Sequence, residues 1–259
     1  MDASQHHREF FVLPTPQCAA QKASSLFSTR IIQAVAERRK CMIALAGGST
    51  PRMLYTALAG AVGDCDVPWD SVHVFFSDER DVPHDHVDSN YHTAQRTLLD
   101  FVPIPPQQVH PMPADSADLT AAAESYEQAI RQTVPSNGGE IPRFDLVLLG
   151  VGADGHTASL FPGGEAIEET ERLVLSPYVP SLGRHRMTFT LPLINAARCV
   201  MMFVTESDKA SVVAEMFGPQ GQASSAPAAR VCPSAGEHMV VLDSAAAQKL
   251  APALRSSAS

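Results

Sequence analysis

FDLVLLGVGADGHT, residues 144–157, joins an apolar run to a glycine-rich loop, and that junction points to an α/β fold. Phe144–Leu149 is apolar apart from Asp145, the pattern of a strand buried on both faces rather than one alternating between core and water. The eight residues that follow are rich in glycine and form a loop at the carboxyl end of that strand. A literal G-x-G-x-x-G runs from Gly150 to Gly155. A dinucleotide-binding turn would open a helix and stand at the start of a nucleotide-binding unit. Here Pro162-Gly163-Gly164 breaks the helix and the strand lies mid-chain, so that reading is rejected.

Working outward, apolar runs at residues 10–13, 41–46, 72–76 and 199–205 are expected to be strands. Shorter ones are expected at 172–176, 186–191 and 239–242. Between them lie segments with helical spacing: 17–39, 51–61, 89–101, 119–134, 206–217 and 243–250. Residues 102–117, 135–143 and the Gly, Pro, Ser and Ala-rich 218–230 read as loops, the last as a mobile one. No internal repeat is evident. Strands alternating with helices imply a mostly parallel sheet covered on both faces. The expectation is a single α/β domain over 1–259, with a small subdomain around 163–198. In such sheets ligands bind beyond the carboxyl ends of the strands.

The strand-end loops therefore carry the candidate chemistry. Ala46-Gly47-Gly48-Ser49-Thr50-Pro51 leaves a buried run and enters a helix. Its glycines admit a ligand to the backbone, Ser49 or Thr50 is placed to cap the helix, and free N–H groups there suit a phosphate. A capped tight turn is the plain alternative. Ser77-Asp78-Glu79-Arg80 puts three charges at the end of a buried run, which is costly unless they are paired or used. A solvated loop with an internal ion pair is the alternative. His156, beside Asp154 in the glycine loop, is a candidate base. Arg186 and Lys209 are basic candidates at the ends of two further strands. His84 and His86, with Asp81, Asp85 and Asp88, lack the regular spacing of a zinc site, so solvation is the better reading and no metal is expected.

Composition narrows the partners. The chain has 259 residues, enough for a large core, and a formal net charge of −9. An acidic surface repels nucleic acid and anionic membrane, so neither is an expected partner. A phosphorylated substrate would need a local basic cluster against that field. The five cysteines, Cys18, Cys41, Cys65, Cys199 and Cys232, contain no C-x-x-C pair and suggest reduced, buried thiols. Met1–Pro14 has charges where a signal peptide needs an apolar core, no run is long enough to span a membrane, and the final tripeptide is not peroxisomal. A cytoplasmic monomer is the expectation.

LAGGSTPRMLY (45–55), FFSDERDVPHDHVDSNY (75–91), FDLVLLGVGADGHTASLFPG (144–163) and RMTFTLPLINAARCVMMFVTESDKA (186–210) together resemble the 6-phosphogluconolactonase family, as does PAARVCPSAGEHMVVLDSAAA (227–247). The resemblance implies a modified Rossmann-like sheet with a smaller appended sheet region, as in glucosamine-6-phosphate deaminase and ribose-5-phosphate isomerase. It implies hydrolysis of 6-phospho-D-glucono-1,5-lactone in the oxidative pentose phosphate pathway, without a cofactor. By motif match His156 stands for the family's catalytic histidine, and Asp78 and Arg80 match its Asp-Glu-Arg acid and base. Gly47, Gly48, Ser49, Thr50, Arg186 and Lys209 fall where phosphate contacts are expected. Either Asp154 or Asp78 would fix the His156 tautomer. Related deaminases resemble H-x-A-F-N-E-P after the glycine loop and carry an aromatic residue at the place of Arg80. His156-Thr-Ala-Ser-Leu-Phe-Pro162 lacks their Asn-Glu pair, and both differences favour the lactonase. A ligand-sensing regulator on the same fold is the non-enzyme alternative.

Overall fold

The computed structural model describes residues 8–63, 66–136, 140–218 and 224–255. Its first strand, β1 (Arg8–Leu13), leads into the long helix α1 (Pro16–Arg38). Thr15 caps that helix by accepting from Cys18 N at 3.2 Å, and Pro16 occupies the first turn, where its missing N–H costs nothing. Ala20, Ala23, Phe27, Ile31 and Ala34 recur at helical spacing and are all buried. Burying Phe27 and Ile31 fully contributes about 1.5–3 kcal/mol each. The helix stops where Arg39 turns left-handed (φ 66°) and closes on Val35 O.

β2 (Cys41–Leu45), α2 (Ser49–Gly60) and β3 (Val72–Phe76) follow. After β4 (Asp78–Arg80) come α3 (Asn90–Thr97), α4 (Leu119–Thr133) and β5 (Leu146–Leu149). The main sheet is completed by β9 (Cys199–Val204) and β10 (Glu237–Asp243), with α6 (Ala210–Phe217) between them. Its order is β1-β10-β9-β5-β2-β3, and every pair in it is parallel. All residues of β2, β5 and β9 are buried, so both faces of the sheet are covered. The chain leaves β2 towards β3 on one side and leaves β5 towards β9 on the other. The switch point, where such sheets open a crevice, thus lies between β2 and β5. The two glycine-rich loops leave those same two strands.

A second, antiparallel sheet stands on this rim. β8 (Arg184–Phe189) pairs with β4, with β6 (Val174–Leu175) and with β7 (Tyr178–Val179). Ser77–Arg80 was expected as a loop; Asp78–Arg80 is instead a strand, because β8 supplies a ladder partner more than a hundred residues away. The expected strand 172–176 shrinks to two residues, and Leu191 does not extend β8 but opens the short α5 (Leu191–Asn195), with Pro192 in its first turn.

Of residues 243–250, expected as a helix, Asp243 ends β10 and 244–250 form turns. Asp243 Oδ1 accepts from Glu206 N and Ala246 N, Leu250 N bonds back three residues to Ala247 O, and Pro252 opens a separate short helix, α7 (Pro252–Arg255). Of the expected mobile loop 218–230, residues 219–223 lie outside the described residues. Pro227–Arg230 is a 3-10 turn with Pro227 and Ala228 buried, so this part is packed. The expectations for the N-terminal residues 1–7, the loop residues 137–139, the last four residues and Cys65 likewise fall outside the described residues. Cys41 and Cys199 are free and buried, whereas Cys18 and Cys232 are free but only half-buried. Among the described residues no helix is long and apolar enough to cross a membrane.

Candidate functional site

A cavity of about 230 Å3 opens at the switch point. Its walls come from three strand-end loops and one edge of the small sheet. The loop after β2 contributes Gly47, Gly48, Ser49 and Thr50; the loop after β5 contributes Gly152 and His156; Thr205 and Lys209 come from beyond β9; Asp78 and Arg80 come from β4. Nine of the expected site residues are thereby brought into contact with one volume or its immediate support: eight of these ten wall residues, all but Gly152 and Thr205, and Asp154, which touches His156.

The first loop is shaped by two glycines for different reasons. Gly48 has φ 102°, a conformation that favours glycine, and serves as N-cap of α2. Gly47 lies so close to Asn90 that a Cβ there would come within 1.7 Å of Asn90 Oδ1. Neither Ser49 nor Thr50 caps the helix, as had been expected. No side chain does, and the Thr50 hydroxyl pairs with that of Thr205 at 2.9 Å. The helix therefore presents its first N–H groups and the positive end of its dipole to the cavity. Lys209 reaches the same wall, with its ammonium 2.6 Å from Asp208 Oδ2.

His156 is held from three directions. Its Nδ1 stands 2.6 Å from Asp154 Oδ1, and its backbone N donates to the same oxygen at 3.2 Å. Phe161 stacks on the ring with centroids 4.4 Å apart. Burial opposes ionisation of Asp154, but the hydrogen bonds from His156 and the attraction of its ring outweigh it and hold the carboxyl below its usual range. An ionised Asp154 accepts, so in the neutral ring Nδ1 carries the proton and Nε2 is the nitrogen with the lone pair. Of the two carboxylates considered for this task, Asp154 is the one in contact. Gly152 leaves the room: a Cβ there would lie 2.1 Å from His156 Nδ1.

Asp78 is buried and has both oxygens engaged. Asn90 Nδ2 donates to Oδ1 at 3.1 Å, and Ser159 Oγ donates to Oδ2 at 2.8 Å. Behind it Glu79 has no exposed surface. It accepts from Arg80 N, Asn90 N, Tyr91 N and Ser89 Oγ at 2.7–2.9 Å. Burial still pushes its carboxyl above the usual range, with those four bonds opposing. The Arg80 guanidinium is tied to the carbonyl of Asp88.

Arg186 sits opposite Arg80 in the β4–β8 ladder but does not line the cavity. Its Nη1 lies 3.5 Å from Asp81 Oδ1, and burial, then the charge of Arg80, lowers its affinity for the proton. It is the expected phosphate residue that the structure leaves off the wall. Asn90, Ser159 and Phe161 escaped the sequence reading, and Glu79 entered it only as one of three charges in the Ser77–Arg80 loop. The available signal was position: Asn90 is the penultimate residue of the segment 75–91, and Ser159 and Phe161 follow His156 by three and five residues. The histidines of the polar loop are also placed. His84 Nε2 is 2.8 Å from Met112 O, and His86 Nδ1 accepts from Asp88 N.

Comparisons with known proteins show the family and the fold. The family described as glucosamine-6-phosphate isomerases/6-phosphogluconolactonase matches residues 14–240. The 6-phosphogluconolactonase of Synechocystis sp. is 42% identical over 241 residues, covering 93% of this chain and 98% of that protein. That of Streptomyces coelicolor is 38% identical, covering 89% and 90%. The structure of 6-phosphogluconolactonase from Trypanosoma brucei superposes with a TM-score of 0.82 at 31% identity, over 95% of this chain and 100% of that one. A monomeric glucosamine-6-phosphate deaminase, at 20% identity and TM-score 0.77, shares the fold.

Proposed function

Since the chain belongs to the glucosamine-6-phosphate isomerase/6-phosphogluconolactonase family, we infer that it hydrolyses 6-phospho-D-glucono-1,5-lactone to 6-phospho-D-gluconate, a step of the oxidative pentose phosphate pathway. The observation that carries this reading is the shared cavity: a histidine with a free Nε2 at one wall faces an uncapped helix N-terminus and Lys209 at another.

The lactone phosphate binds the N–H groups of the Gly48–Thr50 turn and the Lys209 ammonium. Arg186 adds positive potential from behind Arg80. His156 Nε2 takes a proton from water as the water oxygen bonds to the lactone carbonyl carbon, a contribution of about 10²–10⁴ in rate. Charge gathers on the carbonyl oxygen, and Arg80 steadies it or the neighbouring hydroxyls. When the tetrahedral centre collapses, the bond from carbon to the ring oxygen breaks. That oxygen receives the proton from His156, and the carboxylic acid left behind releases the water's second proton to solvent to become the carboxylate. Asp78, held by Asn90 and Ser159, orients the substrate hydroxyls. No electrons are transferred, so the reaction needs no redox cofactor. The enzyme acts on a small molecule, as a monomer, in the cytosol.

The test is lactone hydrolysis measured against the spontaneous rate, with ammonia release from glucosamine 6-phosphate followed in parallel. His156→Ala should lower kcat with little change in KM, since proton transfer belongs to the transition state. Lys209→Ala should chiefly raise KM, by about one to two decades for a charge-assisted bond. A folded His156→Ala with near-wild-type kcat defeats the mechanism. Ammonia release in place of lactone hydrolysis defeats the assignment.

A further inference from the structure

We propose that the opposite rim of the main sheet carries a second anion site, built from Arg38, Arg143 and Arg198, that takes a phosphate dianion, free or as the head of a small molecule. It goes beyond the lactonase reading and uses none of its residues. Asp145 and Arg198 directly precede β5 and β9, so this rim holds the amino ends of the strands, the far side of the sheet from the catalytic cavity.

Three guanidiniums converge there on too little negative charge. Arg38 Nε and Arg198 Nε lie 2.9 and 3.4 Å from the same oxygen, Asp145 Oδ1, while Oδ2 of that carboxylate accepts from Met42 N. Arg38 is also paired with Glu37, and Arg30 with Glu237. Arg143 spends two donors on neutral carbonyls, those of Ala196 and Ala235. Among the described residues the Arg198 side chain donates no hydrogen bond, and its ion-pair approach to Asp145 is 3.4 Å through Nε, which leaves its fork of donors uncommitted. Burial, then Arg143 and Arg38, lowers the proton affinity of Arg198, the direction expected of crowded cations.

Two cavities, of about 230 and 160 Å3, flank these residues and share Arg38, Arg143, Asp145 and Arg198 as walls. Lys40 lines the smaller. The smaller cavity is lined by four cations, Arg38, Lys40, Arg143 and Arg198, and by one carboxylate, Asp145, in a chain whose net charge is −9. A planar fork with free donors beside a second guanidinium suits a tetrahedral dianion better than a monovalent halide.

The test is amide chemical-shift mapping of the full chain titrated with inorganic phosphate, with chloride at matched ionic strength as control. Saturable shifts are expected at Met42, Asp145, Arg198 and Glu237, separate from those at 48–50. Arg198→Gln should weaken the strand-start site about tenfold to a hundredfold and leave lactone hydrolysis unchanged. Lys40→Gln, an exposed change that spares the fold, should weaken it about two- to fivefold. Glycerol 3-phosphate is titrated alongside. Equal shifts make phosphate monoesters ligands, shifts with inorganic phosphate alone restrict the site to the free ion, and both support it. Shifts confined to the catalytic loops, shifts that chloride reproduces, or shifts persisting in Arg198→Gln overturn the proposal. Should Arg198→Gln fail to fold, undiminished binding by Lys40→Gln overturns it.

Discussion

His156 and Asp154, two residues apart in one turn, share a 2.6 Å contact between Nδ1 and Oδ1. The carboxylate decides which ring nitrogen is free. Asp154→Asn offers an amide that can donate to Nδ1 and so stabilise the tautomer whose Nε2 is blocked. Asp154 is half exposed, so water softens the effect. We expect kcat to fall about tenfold to a hundredfold with KM little changed, less than the loss of about 10⁴ seen when a buried triad carboxylate is replaced. Steady-state kinetics check this, and a kcat within twofold of wild type contradicts it.

Gly152→Ala probes the same pair from the backbone. Its Cβ would lie 2.1 Å from His156 Nδ1 and 2.5 Å from Asp154 Oδ1, too close for either to stay. The turn opens to the cavity rather than the core, so the variant should fold and lose at least as much kcat as Asp154→Asn. Combined, the two changes should be far from additive, because each breaks one contact. Additive losses in the double variant would show that Gly152 acts elsewhere.

Glu79→Gln tests the support of Asp78. The buried carboxylate accepts three backbone N–H groups and one hydroxyl. An amide puts a donor against donors, which leaves at least one of them unsatisfied and costs about 1–3 kcal/mol. Thermal unfolding should register this as a lower Tm. Asn90→Ala removes the bond to Asp78 Oδ1 and the neighbour packed against Gly47, so its loss should appear mainly in catalysis. An Asn90→Ala enzyme with wild-type kcat and KM would remove Asp78 positioning from the account.

Much of this site was legible because the strands that carry it are continuous apolar runs. β2, β3, β5 and β9 each read as buried, and the loops after β2 and β5 announce themselves by glycine. What stayed hidden depends on long-range pairing. Asp78-Glu79-Arg80 looks like a solvated loop until β8 arrives to pair with it, and Glu79 looks costly until the start of α3 supplies its donors. β7 has two residues, too short for an alternating pattern to show. Nothing local reveals that Arg186 stands opposite Arg80 in the ladder, with its guanidinium near Asp81.

The last expectation concerns acid stability and involves residues away from the cavity. His73 Nδ1 lies 3.3 Å from His110 Nε2, the two rings are stacked, and His110 also stacks on Phe75 with centroids 4.2 Å apart. Burial, then Lys40, lowers the His73 pKa; burial, then His73, lowers that of His110 to about 4. Both folded values lie below the unfolded value near 6.5, so the unfolded chain takes up protons first as pH falls. Their stabilisation is complete above about pH 6.5 and is lost as pH drops towards 4. Both residues are only partly buried, so solvent screening makes the loss modest. His110→Phe keeps the stack on Phe75 but cannot be protonated, and it leaves no second imidazole to repel a charged His73. Urea unfolding of wild type and variant between pH 7 and 5, above most carboxylate titration, should give a shallower decline of stability for the variant. Parallel slopes would assign the acid lability to other groups.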